Sequence, residues 1–353
     1  MATDTRRRAR GGDGPGRAPG TAPLNETGAG GSGASTTPFR RFAWGIVGYN
    51  LLVIGWGAFV RATGSGAGCG SHWPLCNGEV IPRPERIETL IEFSHRLSSG
   101  LDGLLVLALA VWAFRLFPRR HPVRPAAAWS LVFLVFEALI GAGLVRFELV
   151  ADDASLARAL VMAAHLINTF LLLAALTLTA HRAGEREAAP PVRLPTRATL
   201  ALAAGAFALI VAGATGAIAA LGDTLFPAET FRQGLADDLS PTAHLLVRLR
   251  VLHPILAAAA ALLVPAAAGW LARRSPAPAL AARARAVTGL IAAQVAAGFL
   301  NLALAAPVWM QLLHLVLADL VWIAWVLLAA DAAAAERPAL ADEAPAAVEP
   351  ARA

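Results

Sequence analysis

Ile91-Glu92-Phe93-Ser94-His95-Arg96 opens a long apolar run and carries a carboxylate, an imidazole and a guanidinium into it within five residues. Ionisable groups in hydrocarbon are expensive, by a few kcal/mol or more each, so they are rarely there by accident. Glu92 and His95 are three apart and share one face of a helix. Working outward, three more histidines, His165, His253 and His314, also sit inside long apolar runs.

The bulk numbers agree with a membrane reading. The 353 residues are 57% hydrophobic and only 15% charged, where a soluble chain carries roughly 25% charged residues. The fold class is all-α integral membrane, a bundle packed in lipid. A net charge of +6 would raise nucleic acid as a partner for a soluble protein. Here the arginines fall in tails and alternate loops, so topology accounts for them and nucleic acid is excluded. Every basic residue is Arg, which reads as genomic composition.

Eight spans of bilayer length are predicted near 42–62, 90–114, 127–147, 157–180, 198–221, 243–271, 286–305 and 309–330. The first 40 residues and residues 332–353 are Gly-, Pro-, Ala- or acid-rich, compositions that bury too little to fold. They read as disordered cytoplasmic tails. Arg6-Arg7-Arg8 lies too far from the first apolar run for a twin-arginine signal, and the first span reads as uncleaved. Arginines crowd the N-terminal tail and the loops after spans two, four and six, while Glu79, Glu88, Asp152, Asp153, Asp223 and Asp237 lie in the opposite loops. By the positive-inside rule both termini are cytoplasmic, in a multi-pass cell-membrane protein, and the loop with Cys69 and Cys76 faces out.

The two halves echo each other. Gly57-x-x-x-Arg61-Ala62-Thr63-Gly64 is echoed by Gly213-Ala214-Thr215-Gly216, and Glu137-x-x-x-Gly141 by Gln294-x-x-x-Gly298. His95 matches His253, and His165 matches His314. The expectation is eight helices as two pseudo-symmetric four-helix bundles related by a parallel repeat. Their boundaries are 41–182 and 198–331, with a cytoplasmic linker at 183–197.

The four histidines lie about 5 to 10 residues into their spans, roughly 8–15 Å below the outer boundary, two per bundle. Facing imidazoles in a four-helix bundle can ligate one haem iron. A lone histidine in an apolar helix is more often a hydrogen-bonded interior residue; four at matched depth, repeated, point to haem. Zinc is the lesser idea, because a closed zinc site gathers four ligands together. Arg61, Arg96, Arg248 and Arg250 lie near these histidines and suit haem propionates, or snorkel to headgroups. Glu92 breaks the repeat, since Arg250 stands three before His253. The asymmetry places reaction in the first bundle and electron storage or transfer in the second. A salt bridge from Glu92 to Arg96 is the bland alternative.

Asp102, Glu137 and Asp319 also lie inside spans, as members of a proton path or as bonds to a neighbouring helix. The segment Cys69-Gly-Ser-His-Trp-Pro-Leu-Cys76 faces an oxidising compartment under this topology. Its spacing is no zinc or CxxC signature. A structural disulfide is the first reading and a redox relay the second; His72 reads as a solvated loop residue.

Arg61-Ala-Thr-Gly-Ser-Gly-Ala-Gly-Cys69-Gly-Ser-His-Trp-Pro-Leu-Cys76-Asn-Gly, then Glu92-Phe-Ser-His95-Arg96, resembles the haem A synthase family. So does Gln311-Leu-Leu-His314-Leu-Val-Leu-Ala-Asp319-Leu-Val-Trp322 in the last span. The resemblance covers about 40–331. It implies oxidation of the C8 methyl of haem O to a formyl group, giving haem A for terminal oxidases. It implies that His95 and His165 face the substrate haem with Glu92 at the reacting edge, and that His253 and His314 ligate a haem b. Cys69 and Cys76 match the family's paired outer cysteines. Glu137 departs from it, standing where a neutral amide like Gln294 is expected. Implied partners are haem O, the lipid bilayer, a haem O synthase that hands over substrate, and an electron donor the sequence does not name.

Two other functions use the same histidines. One is a two-haem b-type electron carrier oxidising a quinol; the other is a haem-binding assembly chaperone. Neither gives Glu92 a purpose.

Overall fold

Proline and glycine set the helix ends. The computed structural model describes residues 36–83, 86–185 and 194–335, so the readings of the two tails and of most of the 183–197 linker lie outside the described residues. Helix α1 (Thr37–Ala62) has a proline in its first turn, where the missing N–H is no loss, and stops before Gly64, whose φ of +69° is left-handed. A 3-10 turn (Ser65–Ala67) leads into the cysteine loop. Helix α2 (Ile87–Leu116) ends just ahead of Pro118, and α3 (Val123–Arg146) starts after Pro122. Ser155 caps α4 (Leu156–Arg182) by accepting from the Arg158 amide, satisfying one orphan donor. Helix α5 (Thr196–Leu225) follows Pro195.

A short helix absent from the expectation, α6 (Phe231–Leu239), lies between spans and is capped by Thr230. The sixth span is broken in two, α7 (Leu245–Leu249) and α8 (Leu252–Arg274). Pro254 explains the break. It has no N–H for the Arg250 carbonyl, and its ring crowds that carbonyl, so the chain turns at Arg250-Val251 before resuming. Helices α9 (Pro278–Ala303) and α10 (Val308–Ala335) complete the chain.

Among the described residues, eight helical segments are long and apolar enough to cross a membrane, with α7 and α8 counted as one. They overlap all eight expected spans and run a few residues longer. The chain is an all-α, multi-pass membrane protein. Helix α1 packs on α2 and α4, and α3 on α2 and α4. Helix α5 packs on α8 and α10, and α9 on α8 and α10. Contacts of α4 with α5 and α10, and of α1 with α10, join these groups. Half of the most apolar stretch of α4 and 44% of that of α10 are buried, against 17–33% elsewhere, so these two helices form the centre. On the outside Leu52, Leu104, Phe207, Leu262 and Phe299 are well over half exposed, as suits surface meeting acyl chains.

Close approach at the centre depends on small residues, as expected where lipid supplies no hydrophobic drive between helices. A Cβ on Gly205 would overlap the Trp325 indole, and one on Gly213 would come within 2.8 Å of the Phe170 ring. Phe170 of α4 stacks on Trp322 of α10 with centroids 5.2 Å apart, and the Trp322 indole donates to the Phe170 carbonyl at 2.6 Å.

Candidate functional site

The first turns of α2 carry Glu92, His95 and Arg96, and the cysteine loop lies against them. Cys69 and Cys76 form a disulfide, and both are buried. Gly68 rests on the α2 backbone so closely that an added Cβ would come within 2.6 Å of the Thr89 amide. Thr89 donates to the Gly68 carbonyl at 2.7 Å. Arg96 donates to the carbonyls of His72 and Leu75, each at 2.6 Å. Glu92, 3% exposed, accepts from the Cys69 amide at 2.8 Å and is paired with Arg96. The salt bridge weighed against a chemical role is therefore present. It fixes the carboxylate at the lip of the disulfide loop rather than removing it from the site. The His72 side chain is exposed.

Each of the four histidines faces a glycine on a neighbouring helix. A Cβ on Gly57 would lie 3.0 Å from the His95 ring, and one on Gly216 3.0 Å from His253. The corresponding distance is 3.1 Å for Gly298 and His314, and 4.0 Å for Gly141 and His165. The seat of His253 is Gly216, which therefore answers to Gly57, whereas the sequence echo set Gly216 beside Gly64. Ala62-Thr63-Gly64 ends a helix, whereas Ala214-Thr215-Gly216 lies in the middle of one.

The histidines come in twos. His253 and His314 have ring centroids 6.2 Å apart. In the other group, His95 of α2 lies over Gly57 and His165 of α4 over Gly141. A metal–imidazole bond is about 2 Å long, so two in line plus the ring radii need roughly 6 Å between centroids. His253 Nδ1 lies 3.1 Å from the Ala212 carbonyl. A carbonyl only accepts, so Nδ1 carries the proton and Nε2 keeps its lone pair, the usual arrangement of a metal-ligating histidine. Nδ1 of His95, His165 and His314 is buried without a partner. Among the described residues no three His, Cys, Asp or Glu side chains gather as a closed metal site requires.

The third helix of each group supports the last histidine. Gln294 Nε2 is 3.3 Å from His314 Nε2, and Glu137 is 3.6 Å from His165 Nε2. Glu137 also accepts from Asn168 at 2.6 Å and Thr169 at 2.5 Å, both on α4. The acid at this position thus knits α3 to α4. Asn50 of α1 donates to Asp102 of α2 at 2.8 Å, the helix-to-helix bond weighed for it. Asp319 is fully buried with neither oxygen partnered.

Arg250 holds Asp238 at 2.8 Å, Asp223 at 3.1 Å and the Phe226 carbonyl at 3.2 Å. Gly222 leaves room for its stem. Burial pushes the Asp238 carboxyl above its ordinary value, with Arg250 pulling against it. Arg248 is exposed. Arg61 spans the seam between the groups, donating to Ala220 and Thr224 of α5 and to Gln311 of α10. The bonds of Arg61, Glu137 and Arg250 join residues far apart in sequence, and no periodicity announces them. The seat glycines stand in the echoed stretches, but the echo paired Gly216 with Gly64, seven residues from Gly57, the glycine it matches as a seat.

A sequence model of the family described as COX15-CtaA, cytochrome oxidase assembly protein, matches residues 40–326. Two relatives from Thermus thermophilus strains, each named protoheme IX farnesyltransferase, are 51% and 50% identical over 293 residues, 82% of this chain and 48% of theirs. This chain therefore spans about half the length of those relatives. A protein from Alkalihalophilus pseudofirmus named heme A synthase is 45% identical over 97 residues, 28% of this chain and 33% of that one. With its family model matched across nearly all the described residues, the chain belongs to the COX15-CtaA family of cytochrome oxidase assembly proteins.

Proposed function

We propose that this protein is a haem A synthase, oxidising the C8 methyl of haem O to a formyl group. The observation that carries the reading is Glu92. It is a buried carboxylate fixed by the Cys69 amide and Arg96 one turn from His95, where the second half has Arg250. The two halves, 41–182 and 198–331, are pseudo-symmetric four-helix bundles under this reading. His95 and His165 hold the substrate, and His253 and His314 hold a haem b. The paired imidazoles, their unpartnered or carbonyl-bonded Nδ1 atoms and their glycine seats support that donor set. A haem b there would take up and pass on electrons.

Methyl to formyl is a four-electron oxidation that adds one oxygen and releases protons. Glu92 is placed to steady positive charge as it develops at the methyl carbon or to accept a proton. Arg96 pairs with the carboxylate and orients it, and the disulfide loop keeps bulk water from that edge. Arg250, already held by Asp223 and Asp238, lines the haem b side, where a propionate would share its guanidinium. The disulfide end faces outward from the cell membrane and both termini are cytoplasmic. Haem O synthase is the proposed donor of substrate. The name of the Thermus relatives, whose length is about half matched by this chain, supports a farnesyl-transferring partner.

The test is haem extraction from membranes supplied with haem O, resolved by chromatography. In Glu92→Gln, haem A should fall on the order of a hundredfold or more, with haem O accumulating and the b-type spectrum kept. An electron carrier or chaperone would tolerate the change. Normal haem A output from the variant removes Glu92 from the chemistry, and a colourless wild-type protein ends the haem reading altogether.

A further inference from the structure

The seam between the halves concentrates on one side chain. Arg61 closes the last turn of α1, one turn beyond Gly57, and the His95 ring lies over Gly57 where a Cβ would crowd it. From there its guanidinium leaves its own half. It donates to the Ala220 carbonyl at 2.6 Å, to Thr224 Oγ1 at 2.5 Å and to Gln311 Oε1 at 2.9 Å. Gln311 is three residues before His314 and shares its helix face. Gln311 is itself fixed, donating to the Ala306 carbonyl at 2.7 Å. The charge of Arg61 also interacts with Asp223 of α5, and Asp223 is paired with Arg250, three residues before His253. One first-half cation therefore touches the residue flanking one second-half histidine and attracts the counter-ion of the residue flanking the other.

On the reading that both histidine pairs hold iron porphyrin, we propose that Arg61 is the positioning residue through which occupancy of the His95/His165 site is felt at His253/His314. The physical route is short. A porphyrin seated on His95 shifts a ring that lies over Gly57 with no room for even a methyl group between ring and α1 backbone, so a packed α1 responds to where that ring sits. Any displacement of the end of α1 moves a guanidinium whose bonds lie entirely in the second half. Moving that charge relative to Gln311 and the Asp223–Arg250 pair changes the field at the second iron, in a low-dielectric setting where such changes are felt strongly. Among the described residues the hydrogen-bond partners of Arg61, Ala220, Thr224 and Gln311, all lie in the second half. The link gives a reaction that removes electrons in one half a means of adjusting the electron-holding site in the other.

The experiment uses full-length protein in detergent with haem b in place. The midpoint potential of that haem is measured by optical redox titration before and after addition of gallium protoporphyrin, a redox-silent probe that accepts axial imidazoles. In the wild type, filling the first site shifts the potential. Arg61→Gln and Gln311→Leu should each lose most of the shift while absorbance shows the gallium porphyrin still bound. Arg61→Lys, which keeps the charge without the fork, should keep part of it. If Arg61→Gln fails to insert, Gln311→Leu carries the test alone, because it leaves the charge in place. No shift in the wild type, or an equal shift in wild type and variants, overturns the coupling. Failure of the wild type to bind either porphyrin overturns the proposed function instead, so the two failures are told apart.

Discussion

Three residues before its histidine, α2 presents a carboxylate, Glu92, while the chain ahead of α8 presents a guanidinium, Arg250. One residue after, α2 has Arg96 and α8 has Pro254. Both charged groups do the same mechanical work. Glu92 fastens the disulfide loop through the Cys69 amide, and Arg250 fastens α6 through Asp238. Anchoring a segment outside the spans therefore does not explain the choice of sign, because either sign achieves it. What differs is what a ligand at the adjacent histidine meets: an acid held on an unbroken helix in one half, a neutralised cation at a helix break in the other. The same framework can be used twice and be given chemistry once.

The largest effect that tests this comparison comes from the histidine seats, which the halves share. Gly57→Val should remove porphyrin from the first site and leave the second filled, because the new side chain must occupy the space of the His95 ring. Gly216→Val should do the reverse through His253. Pyridine haemochrome content per protein, read beside the spectrum of the remaining site, checks both. If either variant empties both sites, the halves are not independent binding units and the comparison fails.

How much of this was legible in the sequence depends on cost and distance. The four histidines, Glu92 and the cysteine pair stand out because polar groups inside apolar runs are expensive and must be doing something. The eight spans were legible for the converse reason. The echo between α1 and α5 misled, because matching letters aligned a helix end with a helix middle. The true correspondence, Gly57 with Gly216, is visible only once the rings are placed. Arg61 ends a span and reads as a propionate partner or a snorkelling side chain; that it crosses to Thr224 and Gln311 is a tertiary fact. Pro254 was in plain sight, and the break it makes at Arg250-Val251 follows from backbone chemistry alone.

A smaller effect separates the loops. Gly68→Ala places a methyl group against the Glu88 and Thr89 backbone, and backbone cannot rotate out of the way. The disulfide loop should lift from α2, at about 1–3 kcal/mol of stability, and weaken the Cys69 bond to Glu92. Faster trypsin cleavage at Arg86, together with reduced haem A output but unchanged haem b content, is the expected pattern. Equal loss from both halves would mean that the loop is a general support rather than part of the first site.

The smallest effect concerns Glu137, the acid that stands where α9 has Gln294. Its two oxygens are matched by two donors on α4, Asn168 and Thr169. The residues that follow His314 at the same spacing, Leu317 and Ala318, donate nothing from their side chains. An acid in α9 would lack those bonds, and the amide there keeps an unpartnered oxygen instead. Acid and donors thus form a set in the first half, which argues that Glu137 is a packing group before it is a chemical one. Glu137→Gln should lose one good bond, because an amide nitrogen cannot accept from Asn168. Stability should fall by about 1 kcal/mol, read as an earlier thermal transition, with porphyrin still bound at the first site. Asn168→Ala should cost more, because the same nitrogen also donates to the Phe133 carbonyl of α3 at 2.8 Å. A Glu137→Gln variant of unchanged stability that no longer binds porphyrin at the first site would show that Glu137 acts through His165 and not through the α3–α4 contact.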